Sequence, residues 1–273
     1  MTSSIDSHPG LLNLVTSGAG RPLVLAHGFT QNSACWGRFG RYLARSRQIL
    51  AVDLPGHGAS PARQAGPWVV GDLLAATVTT AAHTRSGEPQ ADYLGYSMGG
   101  RMCLHLALAH PGNVRKLVLI ATSPGIADPS ERVLRAAQDE KLAQRLSDTA
   151  DQPGAFESFL VSWLSMPLFK SLDHSDAAIS SRLRNSPLDL AASLRMTGPG
   201  VQEPLFDRLA DIAVPVLVMA GALDLRYCEI GKSMVRSIGR NAELAIVPGA
   251  GHACHLERPE LTGRIVDSFL GPT

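Results

Sequence analysis

The sequence predicts an α/β fold: a mostly parallel twisted sheet with helices on both faces, interrupted by an all-helical insertion. Three observations carry this reading. Short, continuous apolar runs recur toward both ends of the chain, each followed by a segment of helical periodicity. Unbroken apolar runs are the mark of strands buried on both faces, and their alternation with helices is the pattern of a parallel sheet. Residues 123–208 break that rhythm and contain no convincing strand. The chain is also large enough, at 273 residues with 45% apolar and 18% charged, to bury one sizeable core.

Taken in order, residues 11–16 read as a first strand at the sheet edge. Residues 22–26 (Pro-Leu-Val-Leu-Ala) read as a buried parallel strand that ends in His27-Gly28-Phe29-Thr30. Residues 36–44 have helical spacing of apolar residues. Residues 48–52 form a second buried strand, followed by Asp53-Leu-Pro-Gly-His-Gly58, a loop dense in Gly and Pro. Residues 69–84 are helical. Residues 91–94 are a strand, and 102–109 are an apolar helical run. Later strands are placed at 116–121, 214–220 and 243–247, with helices at 229–238 and 259–270. Within the interruption, 130–146, 155–164, 175–184 and 188–196 all read as helical. The expected organisation is therefore a core of residues 1–122 and 209–273 with a helical lid at 123–208, over the strand ends where such sheets bind ligands.

Composition excludes several classes. A net charge of +1 gives no basis for nucleic-acid binding or a charged membrane surface. The four cysteines are far apart with no C-x-x-C pair, which argues against a disulfide framework or a zinc site. No apolar stretch reaches transmembrane length, and the first ten residues lack the apolar centre of a signal peptide, so a cytoplasmic location is expected.

The chemistry centres on Gly95-Tyr-Ser-Met-Gly-Gly-Arg101, between a strand and a helix. That is the context in which G-x-S-x-G marks a nucleophile. Glycines remove side chains where strand and helix crowd, and Ser97 is left on a sharp turn with its hydroxyl in the open. The N–H of Met98 lies at a helix start, where unpaired donors and the dipole favour negative charge. A nucleophilic serine needs a base, and the base needs an orienting acid. Asp224 follows one strand in Gly221-Ala-Leu-Asp224, and His252 follows another in Pro248-Gly-Ala-Gly-His252, in the order this arrangement uses. Asp224 has a rival reading as a helix cap, although a helix from 229 would be capped nearer its start. His255 competes with His252 but leads into the last helix. Asp53 precedes Ser97 in order and reads as structural, while His27 and His57 read as hydrogen-bonded loop residues. The N–H of Phe29 is placed as a second oxyanion donor beside that of Met98.

These residues resemble the α/β-hydrolase superfamily over nearly the whole chain. Within it, the chain resembles the menaquinone-pathway 2-succinyl-6-hydroxy-2,4-cyclohexadiene-1-carboxylate synthases. The discriminating matches are Arg101 after the serine motif, Ala121-Thr-Ser-Pro-Gly125, Phe159-x-x-x-Trp163, Pro167-Leu-Phe169, Arg182-Leu-Arg-Asn185, Leu190-Ala-x-x-Leu-Arg195, Gly198-x-Gly200-x-Gln202 and Gly251-His-Ala-Cys-His255-Leu-Glu-Arg-Pro259. Glu140 departs from members that carry arginine there. The resemblance implies a lyase that eliminates pyruvate from an enolpyruvyl-bearing cyclohexene, with the triad serine acting as a base, without cofactor or metal. The partner would be a small-molecule polycarboxylate. Arg101 lies about one helical turn, about 5 Å, beyond Ser97 and is a candidate carboxylate fork. Arg182, Arg226, Trp163 and Tyr96 are the other candidate substrate contacts. The competing class is a carboxylic-ester or carbon–carbon bond hydrolase that uses the same triad through an acyl-enzyme.

Overall fold

The computed structural model describes residues 3–4, 10–83, 90–173 and 177–272. Eight strands form one sheet in the order β1-β2-β4-β3-β5-β6-β7-β8. They are β1 (Ser3–Ser4), β2 (Leu14–Ser17), β3 (Pro22–Ala26), β4 (Gln48–Val52), β5 (Ala91–Tyr96), β6 (Val114–Ile120), β7 (Val216–Gly221) and β8 (Ala242–Val247). β1, β2 and β4 pair antiparallel, and every pairing from β4 through β3 to β8 is parallel. The first predicted strand is therefore not at the edge: β1 pairs along its outer side, which leaves β8 at the opposite edge paired on one side only.

The period of two along each strand divides the core. Val24 and Ala26 of β3 and Leu117 and Leu119 of β6 face one apolar cluster, shared with α2 (Pro67–His83), α3 (Met98–Ala109) and α8 (Leu225–Ile238). Leu23, Leu25, Val118 and Ile120 face the other, shared with α1 (Gly37–Leu43), α9 (Cys254–Glu257) and α10 (Pro259–Leu270). Both faces of the sheet are covered, so the inner strands read as unbroken apolar runs. Among the described residues, no helix is long and apolar enough to cross a membrane.

Between β6 and β7 the chain runs through α4 (Pro129–Ser147), α5 (Ala155–Leu164), α6 (Ile179–Arg182) and α7 (Pro187–Thr197), with no strand among the described residues. Asp128 caps α4 by accepting from Glu131 N at 2.8 Å, and Ser186 caps α7 by accepting from Asp189 N at 3.2 Å. The helices share a small core of their own, built on Leu146, Phe159, Leu160, Leu190 and Leu194. The helix predicted over 175–184 shortens to the single turn of α6, and residues 174–176 lie outside the described residues. The 69–84 helix is found as α2, with Thr84 likewise outside.

The strand–turn–helix at Ser97 is tightly crowded by backbone. Ser97 has φ 49° and ψ −108°, a conformation costly for any residue with a Cβ. Its N–H donates to Ile120 O at 2.9 Å, and its carbonyl accepts from Thr122 Oγ1 at 2.7 Å. A Cβ at Gly99 would sit 2.0 Å from Ala26 O, and one at Gly95 would sit 2.5 Å from Gly100 Cα. Both obstacles are backbone, so neither position can relax by rotating a side chain. Gly99→Ala should therefore cost about 1–3 kcal/mol or more in urea unfolding. A stability equal to wild type would mean that β3 and α3 are not held at this spacing.

Candidate active site

Three strand ends bring the site together. β5 delivers Ser97, the loop after β7 delivers Asp224, and the loop after β8 delivers His252. His252 Nδ1 lies 2.8 Å from Asp224 Oδ2, and its Nε2 lies 3.3 Å from Ser97 Oγ. The His252 ring is 2% exposed and packed against the rings of Tyr96, Phe169 and Tyr227. Its orientation is thus set by a carboxylate oxygen on one nitrogen and by aromatic walls on its faces. The separation on the serine side is at the long end for a hydrogen bond.

Asp224 carries both roles weighed in the sequence. The helix read from 229 begins at Leu225, so Asp224 is its N-cap, with Oδ1 accepting from Tyr227 N at 3.3 Å while Oδ2 meets His252. The cap holds the carboxylate still, and the second oxygen orients the imidazole. His255, the rival base, is fully buried among Trp36, Phe39 and Tyr96, and neither ring nitrogen has a protein partner. Burial, reinforced by His252 and Arg182, pushes its pKa down to about 3. It is a neutral packing group with no hydrogen bond to Ser97 or Asp224 among the described residues. Asp53 accepts from Ser33 N, Ala59 N and Asn13 Nδ2 and so braces loops. His27 lies 2.9 Å from Gly28 O through Nδ1 and accepts from Leu54 N through Nε2, and His57 Nδ1 lies 3.1 Å from Pro55 O.

The backbone N–H groups of Phe29 and Met98 have no protein acceptor among the described residues. Phe29, Met98, Ser97 and His252 all line one cavity beneath the helical insertion, at the carboxyl ends of the strands. Two unpaired donors beside a hydroxyl are what a developing oxyanion or enolate requires.

The predicted substrate contacts Arg101, Arg182, Arg226, Trp163 and Tyr96 all line this same cavity. Arg101 is 6% exposed, and burial lowers its pKa to about 10. Its Nη1 donates to Thr197 O and to Gln202 Oε1, both at 2.7 Å, which fixes the guanidinium from the insertion side. Arg182 is 2% exposed, with Nε donating to Ala177 O at 2.8 Å and Nη1 to Thr30 Oγ1. Burial lowers its pKa too. Arg226 is exposed at the rim. Trp163 meets Phe29 edge-on at 5.6 Å, and its Nε1 is buried without a partner. Tyr96 is 3% exposed, and burial holds its hydroxyl protonated far above the ordinary tyrosine range.

One cavity-lining arginine was not singled out from the sequence. Arg135 of α4 pairs with Asp139 at 2.7 Å while reaching the cavity. Nothing local separates it from Arg132 or Arg145 on the same helix; only the packed face of α4 does. Glu140, the position that departs from the resembled enzymes, pairs with Arg195 at 2.8 Å on the outer surface and does not line the cavity.

A family described as alpha/beta hydrolase fold matches residues 21–259. This chain belongs to that family. It is 35% identical over 262 residues to a Bacillus subtilis (strain 168) protein named putative 2-succinyl-6-hydroxy-2,4-cyclohexadiene-1-carboxylate synthase, which covers 92% of this chain and 91% of the relative. It is 33% identical to the 2-succinyl-6-hydroxy-2,4-cyclohexadiene-1-carboxylate synthase of Serratia proteamaculans (strain 568), over 92% of this chain and 94% of the relative. The solved structure of MenH from S. aureus matches with a TM-score of 0.82 at 28% identity, covering 93% of this chain and 96% of that one. The chain is thus an α/β hydrolase that is similar along nearly its full length to proteins so named.

The two histidines provide a direct check on the site. His252→Ala should lower turnover at least a thousandfold, whereas His255→Phe should keep it within a few-fold. Because His255 stays neutral in the fold down to about pH 3 but protonates at its ordinary 6.5 when unfolded, the unfolded state binds the extra proton between those values. Stability should fall as pH drops through that window, and His255→Phe should flatten part of the fall in melting experiments across pH. Loss of activity in His255→Phe with a normal melting temperature would return His255 to the list of bases.

Proposed function

We propose that this protein is a carbon–oxygen lyase that eliminates pyruvate from 2-succinyl-5-enolpyruvyl-6-hydroxy-3-cyclohexene-1-carboxylate, giving 2-succinyl-6-hydroxy-2,4-cyclohexadiene-1-carboxylate in menaquinone biosynthesis in the cytoplasm. The observation that carries this reading is the charge of the cavity. Arg101, Arg135, Arg182 and Arg226 converge on the space beside Ser97, and no Asp or Glu among the described residues lines it. Arg101 and Arg182 are buried and partnered only by neutral oxygens among the described residues. Buried cations without a counter-ion are costly and favour an anionic ligand. The substrate bears three carboxylates. The names of the relatives support the same reaction.

In this reading residues 123–208 act as a lid, and the reaction runs by proton abstraction. Ser97 Oγ removes the proton α to the succinyl carbonyl while His252 Nε2 takes the hydroxyl proton and Asp224 holds the imidazole. Negative charge develops on the succinyl carbonyl oxygen, within reach of the Phe29 and Met98 N–H groups. The enolate re-forms its carbonyl, the ring double bond shifts, the carbon–oxygen bond to the enolpyruvyl group breaks, and the departing enolate takes the proton held by His252 and becomes pyruvate. Buried arginine forks hold the carboxylates so that the α-carbon faces Oγ. Trp163 and Tyr96 supply apolar walls for the ring.

Ser97→Ala should retain its circular dichroism and lose roughly four or more orders of magnitude in pyruvate release. Arg101→Ala and Arg135→Ala should each raise KM for the carboxylated substrate at least tenfold while changing hydrolysis of a neutral ester little. During turnover, intact-protein mass spectrometry should detect no adduct on Ser97. A substrate-derived adduct that forms and decays at the turnover rate would instead establish an acyl-enzyme hydrolase, and an absence of pyruvate would overturn the substrate.

A further inference from the structure

The backbone around Phe29 is held from two directions. Gly28 O accepts from Gln31 N at 3.1 Å and lies 2.9 Å from His27 Nδ1, whose other nitrogen accepts from Leu54 N. No peptide bond among the described residues is cis. Across a trans peptide, N–H points opposite to C=O, so fixing Gly28 O aims the Phe29 N–H the other way, toward the cavity that Phe29 lines. The next residue, Thr30, is β-branched, fully buried and at φ 65°, where such residues are rare and strained. A strained residue persists only where its surroundings over-determine it.

Those surroundings come from the helical insertion. Asn185 Nδ2 donates to Thr30 O at 2.8 Å, and Arg182 donates to Thr30 Oγ1. Asn185 Oδ1 accepts from Gly58 N at 2.7 Å and from Asn32 Nδ2 at 3.3 Å, and Asn32 Nδ2 also reaches Ser181 O at 2.7 Å. One buried carboxamide thus joins the insertion, the loop after β3 and the loop after β4. Its donor end serves the strained residue, and its acceptor end serves the second loop.

We propose that Asn185 is a positioning residue: by holding Thr30 in its left-handed backbone it aims the Phe29 N–H, so that the oxyanion donor pair is complete only while the helical insertion is seated. This rests on the reading of Phe29 and Met98 as those donors, but not on the identity of the substrate. The consequence is that closure of the site and assembly of its electrostatics are one event. An insertion that lifts away would take with it the two bonds that hold Thr30, and Ser97 would face solvent with only the Met98 donor in place.

The test uses capture of Ser97 by a small alkyl fluorophosphonate, read by intact-protein mass. In that step Ser97 Oγ bonds to phosphorus, fluoride leaves, His252 takes the hydroxyl proton, and the phosphonyl oxygen occupies the oxyanion site. For Asn185→Ala the maximal capture rate should fall at least tenfold, while the half-saturating concentration changes less than twofold. Asn185→Asp keeps an acceptor for Gly58 N but sets an oxygen in place of the donor to Thr30 O, so it should be captured just as slowly; it carries the test alone if the alanine variant does not fold. Glu140→Gln, which breaks only the exposed pair with Arg195 within the insertion, should be captured at the wild-type rate. Capture of either Asn185 variant at the wild-type rate, or an equal slowing in Glu140→Gln, would overturn the inference and leave Asn185 as a structural clasp. A wild-type protein that is not captured at all would instead overturn the reading of Ser97 and its oxyanion donors.

Discussion

The close approach of three backbones at Ser97 is the constraint on which the rest depends. β5 turns into α3 with no Cβ at Gly95, Gly99 or Gly100, and α3 lies so close to β3 that a Cβ at Gly99 would overlap Ala26 O. This places the start of α3 at the carboxyl end of the central strands and holds Ser97 at positive φ with its hydroxyl clear of the helix. The crowding also brings the loop after β3 beside the start of α3. The free N–H groups of Phe29 and Met98 therefore come from segments far apart in sequence yet face the same cavity. Strain at one residue is sustained by packing spread over two strands and a helix.

The electrostatics of the cavity follow from a different source. Loops at the strand ends, the starts of α3 and α8 and residues of the insertion line the cavity together, and there the guanidinium groups of Arg101 and Arg182 lose water. Burial is the largest influence on both, and it lowers both. What they keep are neutral carbonyl, amide and hydroxyl oxygens, which orient a cation without neutralising it. A site built this way retains charge for a ligand. Histidines elsewhere show the opposite treatment: His105 and His255 are buried, and burial pushes them down to about 4 and about 3, so they remain neutral and pack as aromatic bodies.

The insertion and the core are joined by apolar and polar contacts together: Leu164, Phe169, Leu172 and Ala177 of the insertion share an apolar cluster with Leu23, Val118 and Ile120, and hydrogen bonds cross beside it. Thr197 O and Gln202 Oε1 hold Arg101 of α3, and Asn185 and Arg182 hold Thr30. The insertion's own apolar core is small and separate, built on Leu160, Leu190 and their neighbours. Directional hydrogen bonds set position sharply while contributing about 0.5–1.5 kcal/mol each. At such a junction the shared apolar cluster supplies cohesion and the hydrogen bonds set the alignment.

By itself, the sequence determined the strand–helix alternation, the interruption at 123–208 and the motif at Ser97. These follow from apolar periodicity and from glycines whose missing side chains are read locally. β3, β4 and α10 coincide with the segments read, because continuous apolar runs and a leading proline mark both ends. The order Ser97, Asp224, His252 was legible because each residue follows a strand. Only the tertiary structure separates His252 from His255, three residues apart and of one residue type, by what it places around each ring: Asp224 and Ser97 beside the first, aromatic walls alone around the second. It also decided that Asp224 both caps α8 and meets His252, since the start of α8 lies four residues before the apolar repeat that marked it. Arg135 and the contacts of Asn185 were invisible for one reason: a side chain's use depends on which face of its helix packs against the core, and that packing joins residues such as Thr30 and Asn185 that are 155 positions apart.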